Sequence, residues 1–378
     1  MKTLQTLESA FLSGKLPKPE YITQMYELHN RLFEYAEFIT SRDIDEISIT
    51  PNCVKVRASL PTINNGGGGV TLLLQKDCER MTPLEILNFR HYERLDSAMI
   101  FELVEDGALV FDIGGNIGYY SIALAKGRNA TIHAFEPIES TYKQFIANAY
   151  YNGVQDRVRI NNFGLFDKSG ELTFYVYKQD FGNASAAIMH EEKENEKIVC
   201  KVEQLDEYVK AQGVERIDFI KLDVEGAEIF ALRGGLKSIE KYKPILFVEM
   251  LRKWAAKYGY HPNEIIEMLE QIGYICYFAC ERASEGDLAL GNHSADLANF
   301  EATADHKSSS APKQATAVQG EAAAGFFRNP RILEDNQARI FLKQLKQMTE
   351  DTTQTNFFFL HKEKHKAYID HFSLESIF

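Results

Sequence analysis

The sequence predicts an α/β protein with a mostly parallel sheet and helices on both faces. Three observations predict it. A glycine-rich turn, Asp112-Ile113-Gly114-Gly115-Asn116-Ile117-Gly118, lies between the apolar run Ala108–Phe111 and the helical run Ile122–Ala125. An acidic residue, Glu136, ends the next apolar run, Thr131–Phe135. From Leu109 to Phe278, short apolar runs then alternate with helical patterns, the signature of parallel strands joined by crossover helices. Ligands of such sheets bind beyond the carboxyl ends of the strands.

Residues 20–40 carry Met25, Leu28, Leu32, Tyr35 and Ile39 on one helical face, placed to pack on the main domain or on a second copy. Residues 44–60 and 70–75 read as short strands, with Gly66–Gly69 as a loop between them. Thr82-Pro83-Leu84-Glu85 reads as a capping box opening a helix to about Val104. After the glycine turn come a helix at 140–151 and strands at Val158–Ile160 and Leu172–Tyr177. A helix starts within 202–209, Ile217–Asp223 is a strand, Gly226–Leu232 a helix and Pro244–Glu249 a strand. A helix at 262–272 precedes a strand at Tyr274–Phe278. Residues 281–325 lose apolar periodicity and read as linker. Residues 331–350 regain helical spacing at Phe341, Leu345 and Met348, and Asn356–His361 reads as the last strand. The expected organisation is an N-terminal helical and hairpin extension (1–80), a main domain (81–280 plus 355–378) and an insertion with an amphipathic helix (281–354).

Composition narrows the function. In 378 residues, 45% are hydrophobic and 12% aromatic, enough for a sizeable core. A net charge of −12 argues against a broad nucleic-acid footprint. The five cysteines form no C-x-x-C pair and are expected to be reduced. With no run long enough to span a membrane and no apolar leader, a soluble cytoplasmic protein is expected.

The glycine turn departs from the dinucleotide pattern. It reads D-x-G-x-N-x-G, and Asn116 fills a middle glycine slot because asparagine tolerates a left-handed backbone. Its leading carboxylate would repel a pyrophosphate but attract an ammonium or sulfonium. S-adenosylmethionine (SAM) carries both cations and no phosphate. Asp112 and the turn Gly114, Gly115, Asn116 and Gly118 are therefore expected at the methionine end. Glu136 suits the ribose hydroxyls, and Asn162 or Phe163, after the third strand, is expected beside adenine.

A second motif, Ile217–Glu228, places Asp223, Glu225 and Glu228 at a strand's carboxyl end. Glu228 equally suits the first turn of the following helix. Lys221, two residues before Asp223, is expected to pair with a carboxylate. Methyl transfer to a hydroxyl needs a base or a metal. Asp223 and Glu249, at neighbouring strand ends, are the natural bases, and Glu225 is the next. A divalent ion on these oxygens is the lesser expectation, and no metal is assigned. The segment Phe181–Ser185 reads as a surface turn that could also face the acceptor.

DIGGNIGYYS, AFEP, IDFIKLDVEGAE and PILFVE, in this order, resemble the FkbM family of SAM-dependent methyltransferases, over about residues 82–280 and the final strand. Tyr92-Glu93 also resembles a Tyr-Glu pair of that family, which places Glu93 with the cofactor residues. The resemblance implies a seven-stranded Rossmann-like class I methyltransferase fold and O-methylation of a sugar, glycan or natural-product hydroxyl. A protein or small-metabolite acceptor, or a non-catalytic scaffold that keeps the fold, are the alternatives. The partners expected are SAM and a hydroxyl-bearing acceptor, a saccharide by the resemblance; nucleic acid is not expected, and self-association is left open.

Overall fold

In a computed structural model the chain is described for residues 3–60, 69–76, 78, 81–177, 180–187, 195–282, 288–290 and 340–373. Among the described residues its main sheet has nine strands: β1 Leu109–Ile113, β2 Thr131–Phe135, β3 Val158–Asn161, β4 Phe219–Leu222, β5 Ile245–Glu249, β6 Tyr274–Arg282, β7 Leu288–Leu290, β8 Ile340–Gln344 and β9 Asn356–His361. Their order is β7-β6-β9-β5-β4-β1-β2-β3, with β8 also pairing β6. Strands β1 to β5 run parallel, and β9 lies antiparallel between β5 and β6. The seven strands expected are thus extended to nine, because β7 and β8 add to the edge at β6.

Side chains alternate across this sheet as strand geometry requires. Val110 and Phe219 join one apolar cluster, with the helices Arg94–Leu103 and Tyr119–Gly127. Phe111, Ile113, Ile220 and Leu222 join the other, with the helices Leu205–Ala211, Glu228–Gly234 and Asn263–Gln271. The strand order reverses between β1 and β4, so the turns after these strands diverge there and open a crevice.

Several local expectations are corrected. Residues 82–104 form two helices, Thr82–Phe89 and Arg94–Leu103, broken where Arg90 (φ 76°) and Glu93 (φ 43°) take left-handed conformations. The capping box is absent: Thr82 is already helical, and Met81 is the N-cap without a side-chain bond. Residues 340–344 are strand, not part of an amphipathic helix, whereas 331–339 lie outside the described residues. Phe341 and Leu342 bury in opposite clusters, which adjacent strand residues do and one helix face does not. The linker reading of 281–325 lies mostly outside the described residues; 281–282 belong to β6 and 288–290 to β7. Strand Gly170–Tyr177 sits outside the main sheet, in a four-stranded sheet with Gly164–Leu165, Asp180–Ser185 and Asn195–Glu203. Phe181–Ser185 is therefore strand and not a surface turn.

Near the N-terminus a helix α1 Leu4–Leu12 comes first, and helices α2 Lys18–His29 and α3 Arg31–Phe38 replace the single helix expected at 20–40. A three-stranded antiparallel sheet follows, Ile44–Ile49, Val54–Ala58 and Val70–Leu74. Gly66–Gly68 lie outside the described residues.

Candidate functional site

The turn after β1 is built by backbone contact. Gly114 has φ +80°, and a Cβ there would lie 1.8 Å from the Asp223 carbonyl oxygen. Gly118 has φ +91°, and a Cβ there would lie 2.1 Å from the Phe145 ring. Glycine is required at both positions by conformation and by space. Asn116 has φ 48°, the left-handed conformation expected of it. The amides of Gly114 and Gly115 donate to the Phe135 carbonyl, each at 3.0 Å, which ties the turn to the end of β2.

Glu136 closes the link between these two strand ends. Its Oε2 accepts the Asn116 amide at 3.1 Å and its Oε1 the Ile138 amide at 2.9 Å. The residue is 7% exposed. Burial pushes its carboxyl up to about 7, although the two amides favour the ionised form.

On the far side of the turn, strand register sets Asp112 opposite Lys221, and Lys221 opposite Phe247. The Lys221 ammonium donates to the Gly114 carbonyl at 2.7 Å. It lies 3.2 Å from Asp223 Oδ2 and 3.6 Å from Asp112 Oδ1, so the expected pairing of Lys221 with a carboxylate is present. Burial opposes the charge on Lys221, but the Asp223 and Asp112 carboxylates outweigh it and raise its pKa. Asp112 is 2% exposed. Its Oδ2 accepts the Ser121 hydroxyl at 2.6 Å, and its Oδ1 has no hydrogen-bond donor.

The loop after β4 carries the second group of acids. Glu225 has φ 57° and Gly226 φ 98°, so the chain turns sharply there. Glu228 fixes this turn and does not face the cleft. Its Oε1 accepts the amides of Val224 and Gly226 at 3.1 and 3.0 Å, and Tyr260 donates to its Oε2 at 3.2 Å. Burial pushes the Glu228 carboxyl up to about 7. From the opposite side, the Ser185 hydroxyl donates to the Glu225 carbonyl at 2.8 Å and lies 2.8 Å from the Tyr258 hydroxyl. The helix break delivers Glu93 to the same region, where its carboxylate accepts the Tyr120 hydroxyl. Burial raises the Glu93 pKa, and the nearby Asp223 charge adds to the effect. Glu249, at the end of β5, is raised well above the carboxylate range by burial and then by the charges of Asp223 and Glu225.

These elements enclose a cleft of about 710 Å³, the open space at its mouth included. Gly114, Asn116, Glu136, Asp223 and Glu225 line it. Asp112, Gly115, Gly118, Glu93, Asn162, Phe163 and Glu249 are not among its lining residues. Asn162 donates to the carbonyls of Glu136 and Pro137, at 2.9 and 3.1 Å, and so braces the Glu136 loop. Phe163 packs against Phe135 with ring centroids 5.6 Å apart. The opposite wall is apolar: Leu165, Phe166, Leu172, Phe174 and Val202. Sequence reading missed this wall. The alternation Leu172-Thr173-Phe174 was its only signal, and that pattern marks a buried strand face whether or not a ligand lies over it.

The donor set fits SAM. Three carboxylates face a cleft whose lining, among the described residues, includes no lysine, arginine or histidine. Asp112 Oδ1 adds a buried acceptor without a donor. Such walls attract a sulfonium and an ammonium and repel phosphate. Among the described residues no group of three His, Cys, Asp or Glu side chains is arranged to hold a metal, and no helix is long and apolar enough to cross a membrane.

Similarity to known proteins falls on the same stretch. Residues 112–276 match the methyltransferase FkbM domain. Methyltransferase 1 of Beauveria bassiana is 30% identical over 147 residues, 34% of this chain and 59% of its own length. The hexuronic acid methyltransferase AglP of Haloferax volcanii is 23% identical over 173 residues, 46% of this chain and 66% of its own. The 2-O-methyltransferase NoeI of Sinorhizobium fredii is 25% identical over 199 residues, 49% of this chain and 79% of its own. The chain spans less than two thirds of the length of the first two of these relatives.

Proposed function

We propose that this chain, whose residues 112–276 match the methyltransferase FkbM domain, methylates a hydroxyl of a saccharide or natural-product acceptor, with SAM as donor. The observation that carries this reading is the cleft itself: a glycine turn and three carboxylates, Glu136, Asp223 and Glu225, with no cation among the described lining residues. The relatives named for a hexuronic acid and for 2-O-methylation support an oxygen acceptor on a sugar.

SAM supplies an electrophilic methyl group on a sulfonium. In this reading the Gly114–Gly118 turn holds the methionine end, with the buried Asp112 charge behind it, and Glu136 accepts the ribose hydroxyls. The apolar wall at Leu165, Phe174 and Val202 excludes water from the nucleoside. Asp223 takes the acceptor proton as the new bond forms, with Lys221 beside it fixing its orientation. Glu249 is the poorer base, because burial and its acidic neighbours keep its proton on. Positioning of acceptor and donor in line supplies the remaining acceleration.

Incubation of the full chain with methyl-labelled SAM and fractionated cell extract tests this. Label should appear in a saccharide-containing fraction and survive mild alkali, as an ether does and an ester does not. Label confined to protein, or released by alkali, would contradict it.

A further inference from the structure

Helices α1 to α3 are an arm that buries almost nothing of its own. Among residues 3–41 only Leu7 is buried, and every residue of α3 is exposed. The exposed side chains are large: Leu12 (77%), Tyr26 (65%), Phe33 (67%), Leu32 (54%) and Tyr35 (50%). The three helices have 9, 12 and 8 residues. Helices this short are marginal in water without an apolar face packed on something. The arm is nonetheless organised: Phe11 stacks on Tyr21 at 4.5 Å, and Arg42 anchors its base to the Leu87 carbonyl.

We infer that a second copy of this chain covers the arm, forming a two-fold dimer in which each arm seats on the Ile49–Tyr151 patch of the other copy. The area suits this. At about 200 Å² for each large side chain, those five expose roughly 630 Å², and Leu4 (48%), Ile22 (55%) and Phe38 (42%) bring the arm to roughly 900 Å², close to the about 800 Å² per partner of a standard interface. Charge favours a protein over a lipid surface. The arm carries Glu8, Glu20, Glu27, Glu34 and Glu37 against Lys15, Lys18 and Arg31, and an acidic arm is repelled by anionic headgroups. The receiving surface is exposed as well. Ile146 (43%), Tyr150 (70%) and Tyr151 (46%) are exposed at the end of one helix, the Lys55 ammonium sits 4.8 Å over the Tyr151 ring, and Ile49 (65%) is exposed at the end of the strand that pairs with the Lys55 strand. An apolar acidic arm and an apolar patch with a basic residue on one chain pair reciprocally in a closed two-fold dimer.

Light scattering and sedimentation of the full chain at micromolar concentration test the inference. The expected mass is twice the 43.1 kDa of one chain. The double substitution Tyr26→Asp and Phe33→Asp should give a monomer that keeps wild-type SAM affinity and circular dichroism. Tyr150→Ser, at the other side of the contact and milder, should shift the same equilibrium. A monomeric wild type overturns the inference whatever the variants do. A dimer that survives both sets of changes overturns the placement of the arm.

Discussion

Gly114 and Asp223 touch through their backbones, so the turn after β1 and the acidic loop after β4 are one rigid unit. A Cβ at Gly114 would meet the Asp223 carbonyl and would also force a left-handed conformation on a residue with a side chain. Gly114→Ala should therefore cost stability, by about 1–3 kcal/mol from strain alone. It should weaken SAM binding as well, since the loop cannot yield without moving Asp223. Urea denaturation and SAM titration of the variant check this; wild-type behaviour in both would show that the contact is not rigid.

Lys221, itself buried, stands between the buried Asp112 carboxylate and the partly exposed Asp223 carboxylate that lines the cleft. Lys221→Met keeps the packing and leaves Asp112 and Asp223 facing each other without compensation. Removing one partner of such a buried group typically costs about 3–5 kcal/mol. Denaturation midpoints should show a loss of this order, and the added change Asp112→Asn should recover part of it.

Asp223 and Glu249 are separable as bases. Asp223→Asn should lower turnover by about 10²–10⁴-fold, the usual share of general-base catalysis, with SAM affinity changed far less. Glu249→Gln should stay within a few-fold of wild type, because the proton that Gln mimics is already in place. Rates of label transfer to the active extract fraction measure both. The opposite ranking would move the base to Glu249.

Glu136 links affinity to pH. Burial lifts its carboxyl from 4.5 to about 7 in the folded chain. Its contribution to the stability of the free protein is full below about 4.5 and lost as pH rises through 7. Ribose hydroxyls require the ionised carboxylate, so SAM affinity should rise about tenfold between pH 6 and pH 8. Glu136→Gln should flatten that dependence. Titrations at the two pH values decide it.

The chain's own chemistry explains what was legible in advance. Asp112, Gly114, Asn116 and Glu136 belong to short local motifs in which backbone conformation and strand ends dictate the residue type. That Lys221 shares a side of its strand with Asp223 and pairs with a carboxylate followed from strand periodicity. Long-range packing was not legible. Phe341, Leu345 and Met348 have helical spacing, yet pairing with β6 makes 340–344 a strand. The helix break at Arg90 and Glu93 uses conformations that no glycine announces. Tyr258, Tyr260 and Ser185 reach the Glu225 turn from distant segments, and nothing near them in sequence signals it. Asn162 and Phe163 lie close to the site but brace it from outside the cleft.

Calorimetric titration of SAM into the wild type and into Glu136→Ala tests the central assignment most directly. Saturable binding at one site per chain, weakened at least about tenfold by the substitution, is the predicted result, in line with a lost charged hydrogen-bond pair of roughly 1.5–3 kcal/mol. Equal affinity in the two proteins, or no binding by the wild type, would contradict it.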